Sequence, residues 1–273
     1  MNKKIVAMLL TAAMSVTLLA GCGGSGDAAK TDGDKNSNKI VMGTNPTFEP
    51  FEYQDESGKM KGFDLDLVKA IGEDQGFEVE VKSLEFDALV GALQSGSIDL
   101  IAAGMSITPD RQENAIFSKP YMDASLGIIV ANDSDIKTAD DLKGKVVAAQ
   151  IGSTGADACQ ELKKKGVVKE VKLLDNFNTC IQDLKSGGTD AIINDMPVNQ
   201  AYMKSHPNDV VLVGEPYVAD YYGIACAKDN KELADKINAG LDNLIKNGKY
   251  QELCKKYNLE VPEAIVNGTA KVA

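Results

Sequence analysis

The chain of 273 residues has no tryptophan, one histidine, and five cysteines with no C-x-x-C pair among them. Zinc sites are built mainly from closely spaced cysteine and histidine, so this inventory argues against one. The only histidine, His206, sits in a polar SHPN stretch. Nucleophilic catalysis by a Ser-His or Cys-His pair needs a neighbouring base of suitable pKa, so the same scarcity argues against that class. No catalytic residue, metal or cofactor is expected. Basic charge is also short. There are 29 Lys and Arg against 40 Asp and Glu, a formal net charge of -11, and without Lys3 and Lys4 it becomes -13. Such a surface disfavours nucleic acid and anionic lipid headgroups as partners. Long apolar runs are absent apart from IVAMLLTAAMSVTLLA near the start, which is short for a membrane span and lacks a stop-transfer flank.

That run follows Lys3 and Lys4 and ends in Leu19-Ala20-Gly21-Cys22, the layout of a secretory signal over residues 1–21. LAGC resembles the lipobox of bacterial lipoproteins, in which the cysteine becomes the lipidated N-terminus. Cys22 is therefore expected to carry a lipid anchor, palmitate included, on the outer face of the cell membrane. Residues 23–38, GGSGDAAKTDGDKNSN, hold no large apolar side chain and cannot bury enough surface to offset the entropy of ordering. Residues 22–38 read as a tether with a reach of roughly 20–25 Å.

From Lys39 the chain alternates strand and helix, the grammar of an α/β protein whose sheets are covered on both faces. The order occurs twice. Without a gap, FDALVGALQSGSIDLIAAG at 86–104 lies over FNTCIQDLKSGGTDAIIND at 177–195, with Phe, Leu, Ser, Gly, Asp and Ile in register. The expected fold is two similar lobes, each a mostly parallel sheet with helices on both faces, joined by two hinge crossings. Lobe 1 is placed at 39–124 plus 222–262, lobe 2 at 125–221, and a C-terminal tail at 263–273. The alignment sets Gly104 opposite Asp195, each one step past its strand's C-terminal end, and that edge is where open α/β sheets bind ligands.

Several residues gather chemistry at this edge. In GMSITPDR, Ser106 can donate and accept, Gly104 can offer a carbonyl, and Arg111 can present a planar fork to a carboxylate. Across from it, Ser153 and Thr154 lead into a helix whose free N–H groups favour an anion, while Asp195 can meet a cation. A carboxylate site beside an ammonium site suits the α-carbon of a free amino acid. Each residue also has a plainer reading. Thr108 and Pro109 read as a helix start that would leave Arg111 on the surface, Ser153 as an N-cap, and Asp195 as a turn residue before Pro197. The two readings of Arg111 are compatible.

The segments GTNPTFEPFEY, GFDLDLVKAIG, FDALVGALQSGSIDLIAAGMSITPDR, FSKPY, DLKGKVVA, GST and DAIINDMPV together resemble the amino-acid-binding proteins of polar-amino-acid ABC importers. These are relatives of ionotropic glutamate receptor ligand cores, with the type II periplasmic-binding-protein fold. The resemblance covers roughly 39–260. It implies that Arg111, with the Ser106 and Thr154 amides, holds the α-carboxylate. Asp195, Ser106 and the Gly104 carbonyl would hold the α-ammonium, and Phe48 and Phe86 would sandwich the side chain. Core packing is the alternative for both phenylalanines. Asn45 stands where many family members carry aspartate, and an amide both donates and accepts. A neutral substrate such as glutamine is thus favoured over lysine or arginine, though Glu49 or Glu85 could still pair with a cation.

The implied function is a monomeric, membrane-tethered receptor that hands an amino acid to the membrane permease of an importer. The competing readings are a sensor that signals through a membrane partner and a dehydratase-like enzyme on the same fold. Cys159 and Cys180 could form a disulfide in an exported chain or remain buried thiols. If Cys22 is the anchor, Cys22→Ala releases the protein from salt-washed membranes, and sedimentation of the variant with membranes would refute the anchor.

Overall fold

The computed structural model describes residues 38–216 and 220–272; the expected signal, lipidated Cys22 and most of the tether lie outside the described residues. Two five-stranded sheets dominate. The first runs in the order Glu78–Ser83, Lys39–Thr44, Leu100–Ile101, Ala225–Ala227, Ala115–Phe117. The second runs Glu170–Leu174, Val146–Gln150, Ala191–Asp195, Leu126–Ala131, Val210–Val213. In each, a central strand pairs in parallel with two neighbours, and the remaining two ladders are antiparallel. The fold is the two-lobed α/β arrangement expected, with the antiparallel strands entering where the chain passes between lobes. Met122–Asp123 and Tyr221–Tyr222 pair antiparallel as a separate two-stranded ribbon between the sheets.

The repeat has a structural counterpart. Residues 86–94 form a 3-10 turn continuing into helix Leu89–Gln94 before the strand Leu100–Ile101, and residues 177–195 form helix Phe177–Lys185 before Ala191–Asp195. Leu89 and Cys180 occupy the same register and both are buried, because each faces its own sheet. The registers then diverge. Leu100–Ile101 ends early, so Gly104 stands three residues beyond its strand, whereas Asp195 is the last residue of its own.

Local sequence accounts for the helix starts at the cleft. Thr108 accepts the Arg111 N–H at 3.3 Å with Pro109 in the first turn, and Ser153 accepts the Ala156 N–H at 3.1 Å. Each satisfies a donor the helix itself cannot. Helix Phe63–Gln75 packs against the C-terminal helix Lys231–Lys246, and Tyr250 donates its hydroxyl to the Tyr121 carbonyl at 2.6 Å. The chain's last helices thereby return to the first sheet. Where a plain tail is expected from 263, Glu263–Val266 makes another helical turn and Ile265 is buried in the core, since an apolar side chain there has a surface to cover.

Cys159, Cys180, Cys226 and Cys254 are free and buried. Burial pushes the Cys159 and Cys180 thiols up to about 12, so neither is a ready nucleophile. Among the described residues no helix is long and apolar enough to cross a membrane, and no cluster of three or more acidic, His or Cys side chains is placed to hold a metal ion.

Gly62 is the N-cap of helix Phe63–Gln75, at φ 138°. A Cβ there would stand 1.9 Å from the Phe51 carbonyl oxygen, whereas one at Gly58, φ 79°, would meet nothing within 4 Å. Gly62→Ala is expected to destabilise by on the order of 3 kcal/mol and Gly58→Ala by about 1. Thermal melts of the two variants check this, and equal losses would show that the close approach does not matter.

Candidate functional site

The C-terminal edges of the two sheets face one another. Phe48, Phe86, Gly104, Ser106, Arg111, Ser153, Thr154 and Asp195 line one small cavity between them, together with Gln150 and Asn194. Its volume is about 10 Å³, room for about one water, so this is the closed arrangement of the cleft. Wider grooves of about 740 and 920 Å³ lie along helix Met196–Ser205, but no buried charged side chain converges on them. Asn45 is the predicted residue that does not line the cavity. Its amide is spent behind it, donating to the Leu84 carbonyl at 2.9 Å and accepting from Thr47 at 2.8 Å and Gln150 at 3.0 Å.

Arg111 is at the centre. Its Nη1 donates to the Ser106 carbonyl at 2.8 Å and its Nη2 to the Gly152 carbonyl at 2.9 Å, one partner from each lobe. The guanidinium also lies over the Phe86 ring at 5.5 Å. Both readings of this arginine hold, since it belongs to a helix start and turns into the cleft. Among the described residues no carboxylate forms an ion pair with it. Burial lowers its pKa from the usual value, opposed by Asp195, Asp220 and Asp157 nearby, and an arginine stays cationic through such a shift. Three of its five N–H donors remain for another acceptor.

The opposite charge stands across the cavity. Asp195 is buried at 8 % exposure and accepts the Tyr222 hydroxyl at 2.6 Å. Burial raises its pKa to about 7, with the Tyr222 bond opposing the shift, Asp220 reinforcing it and Arg111 opposing it. Ser106 and Thr154 bring their hydroxyls to 3.5 Å across the cleft. Ser153 spends its hydroxyl as a cap and on the Gln150 carbonyl at 2.7 Å, leaving the first N–H groups of helix Thr154–Lys164 to face an anion. Phe48 packs edge-on against Phe177 at 6.3 Å. Phe48 and Phe86 are thus both core residues and cavity walls.

Sequence reasoning missed four participants: Gln150, Asn194, Asp220 and Tyr222. Gln150 ends the strand Val146–Gln150 at the same sheet edge that singled out Asp195, and the edge rule could have found it. Asp220 stands beside Ser106 and Arg111, where burial raises its pKa. It and Tyr222 lie on the second crossing, and no local pattern announces that a crossing also furnishes the site. Among the described residues, a cation without an ion-pair partner and a buried carboxylate thus stand on facing lobes across one cavity.

Comparison with known proteins identifies the family. The model of the bacterial extracellular solute-binding proteins, family 3, matches residues 40–260. The arginine-binding extracellular protein ArtP of Bacillus subtilis is 34 % identical over 252 residues, covering 92 % of this chain and 96 % of that one. An ancestral arginine-binding protein bound to arginine is 44 % identical, covers 81 % of this chain and 98 % of its own, and superposes with a TM-score of 0.77. A structure of an ancestral arginine-binding protein bound to glutamine is 45 % identical, covers 82 % and 99 %, and gives 0.75. These relatives are binding proteins and not enzymes, and the family is extracytoplasmic. The chain is a member of the bacterial extracellular solute-binding proteins, family 3.

Proposed function

We propose that this protein is a monomeric, lipid-anchored receptor that captures one polar α-amino acid between its lobes and delivers it to the permease of an ABC importer. The observation that carries the proposal is an Arg111 with no ion-pair partner among the described residues, facing a buried Asp195 across one cavity. Arg111 and the amides of Ser106 and Thr154 take the α-carboxylate. Asp195, Ser106 and the Gly104 carbonyl take the α-ammonium. One ligand then bridges both lobes and stabilises the closed arrangement by its preference for it. Cys22 holds the receptor at the outer face of the membrane, and residues 22–38 let it reach the permease.

Glutamine is the favoured substrate. Gln150 lines the cavity with its Nε2 given to Asn45 and the Asp175 carbonyl, which leaves its Oε1 to accept from a side-chain amide, and Asn45 brings no carboxylate for a basic side chain. Arginine is the second reading, favoured by two ancestral arginine-binding structures, one bound to arginine and one to glutamine. A calorimetric panel of glutamine, arginine, lysine and histidine decides between them, and a basic amino acid bound tenfold more tightly than glutamine overturns the first reading.

Removing one member of a buried charge pair costs about 2–5 kcal/mol, so Arg111→Ala weakens binding by well over tenfold. In the wild type, ligand at about a hundred times its dissociation constant adds roughly 2.7 kcal/mol, or about 5–10 °C of melting temperature. The variant melts near the ligand-free wild type and loses that rise. A full thermal shift in folded Arg111→Ala would remove Arg111 from the site.

Acid has opposite effects on stability and binding. Asp195 and Asp64 titrate at about 7 and about 6 in the folded protein against 3.8 for an ordinary aspartate. The folded state therefore holds more protons than the unfolded one between those values, and stability falls as pH rises through this window. The ligand-free protein melts higher at pH 5 than at pH 8. An α-ammonium needs Asp195 ionised, so with its pKa at about 7 affinity at pH 5.5 is about thirtyfold weaker than at pH 8. Parallel melts and titrations check both directions, and binding that is independent of pH excludes Asp195 as the ammonium partner.

A further inference from the structure

The Gly104 peptide is tied to a buried acid that the binding site itself does not use. Asp64, fully buried in the first turn of helix Phe63–Gln75, accepts the Gly104 N–H at 2.8 Å and the Tyr121 hydroxyl at 2.6 Å, both on Oδ2. Its Oδ1 has no N–H or O–H donor, and neither oxygen of the buried Glu52 has one. The backbone sets Glu52 beside Asp64, since the Asp64 N–H donates to the Phe51 carbonyl at 3.0 Å, and each acid lies in the other's field. Two carboxylates cannot satisfy one another's oxygens, because both only accept, and like charges in a dry interior drive one of the pair to protonate.

One proton resolves all the unpaired oxygens except one. If Glu52 is the acid, its O–H finds Asp64 Oδ1, and only its own carbonyl oxygen stays without a donor. The environment selects Glu52 for this role. Asp64 sits at a helix N-terminus, where the dipole favours an anion, and two donors already point at its Oδ2. Glu52 has no donor, is desolvated and faces the Asp64 charge, which together raise its pKa well above the carboxylate range. The other titratable groups facing the pair are Asp195, Tyr121, Tyr222 and, through Tyr121, Tyr250. Among the described residues no Lys or Arg hydrogen-bonds to either acid.

We propose that Glu52 and Asp64 share a single proton, Glu52 as the acid and Asp64 as the carboxylate, and that this pair is the positioning element that sets the Gly104 peptide in the cleft. Gly104 has φ 52°, and a Cβ on it would stand 3.0 Å from the Phe48 ring. Its peptide is thus held by the acid through the N–H and by the aromatic wall at Cα, which leaves the carbonyl aimed by its surroundings. The role in ligand binding rests on the proposed amino-acid function, because the Gly104 carbonyl is there assigned to the ammonium.

The test uses the full chain as wild type, Glu52→Gln and Glu52→Leu. At pH 8 the infrared spectrum of the ligand-free wild type is expected to contain the carbonyl band of a protonated carboxylic acid, and Glu52→Gln is expected to lose it. Amide hydrogen exchange at Gly104 in Glu52→Gln matches the wild type, because the side-chain N–H replaces the acid O–H. In Glu52→Leu, Oδ1 is left bare in an apolar pocket, Asp64 takes the proton itself, and its bond to Gly104 loses its charge assistance. Exchange there is about tenfold faster, and L-glutamine and L-arginine bind about tenfold more weakly. Absence of an acid band from the wild type overturns the shared proton, whether or not the variants fold. Equal Gly104 exchange in the Gln and Leu variants overturns the positioning role. If the wild type binds neither amino acid, the proposed function fails, and infrared and exchange still decide the pair.

Discussion

The structure turns on a guanidinium that reaches across a gap. Arg111 donates to a carbonyl of its own loop and to the Gly152 carbonyl of the opposite lobe, while among the described residues no carboxylate forms an ion pair with it. A cation held by neutral dipoles in a partly desolvated cleft keeps a strong demand for an anion. Everything near it serves that demand or restrains it. Phe86 covers one face of the fork, the start of helix Thr154–Lys164 adds positive dipole, and the acids Asp195 and Asp220 are close enough to hold the charge without pairing with it.

The hinge is wired into the same place. Tyr222 belongs to the ribbon between the sheets, pairs through its backbone with Ser106, and gives its hydroxyl to Asp195. A ligand that engages Ser106 and Asp195 therefore touches both ends of a short path through the hinge. Further contacts between the lobes, Gln150 to Asn45 and Asn178 to the Thr47 carbonyl, are neutral amide bonds. Such bonds contribute about 1 kcal/mol each, so they hold the two lobes together only weakly. Beneath the Gly104 side, the interior is rigid for the opposite reason: Asp64, Tyr121 and Gly104 form a buried polar network whose members have few alternative partners.

Much of this was legible in the order of residues because it is local or periodic. The helix starts at Thr108 and Ser153 are written in a few adjacent side chains, and the doubled segment 86–104 and 177–195 carries the two-lobed plan, since burial on one face of a helix and in a strand needs the same spacing wherever it occurs. That grammar led to the sheet edges, and most of the predicted site residues do line one cavity. Composition removed metal-centred and histidine-dependent chemistry from consideration before any fold was known.

Tertiary structure decided the rest. Asn45 has the right chemistry at a strand end, yet its amide is consumed by Leu84, Thr47 and Gln150, three partners that no local pattern joins. Gln150, Asp220 and Tyr222 enter the site because two crossings and two sheet edges meet there, and Glu52 faces Asp64 only because a small three-stranded sheet, Thr47–Phe48, Glu52–Gln54 and Met60–Lys61, folds over helix Phe63–Gln75. The sequence by itself determined which elements form and which edge of each sheet is chemical, because those follow from neighbours along the chain. Which groups share a charge, a proton or a cavity was decided by contacts between residues as far apart as Arg111 and Gly152, and such contacts exist only once the lobes have packed.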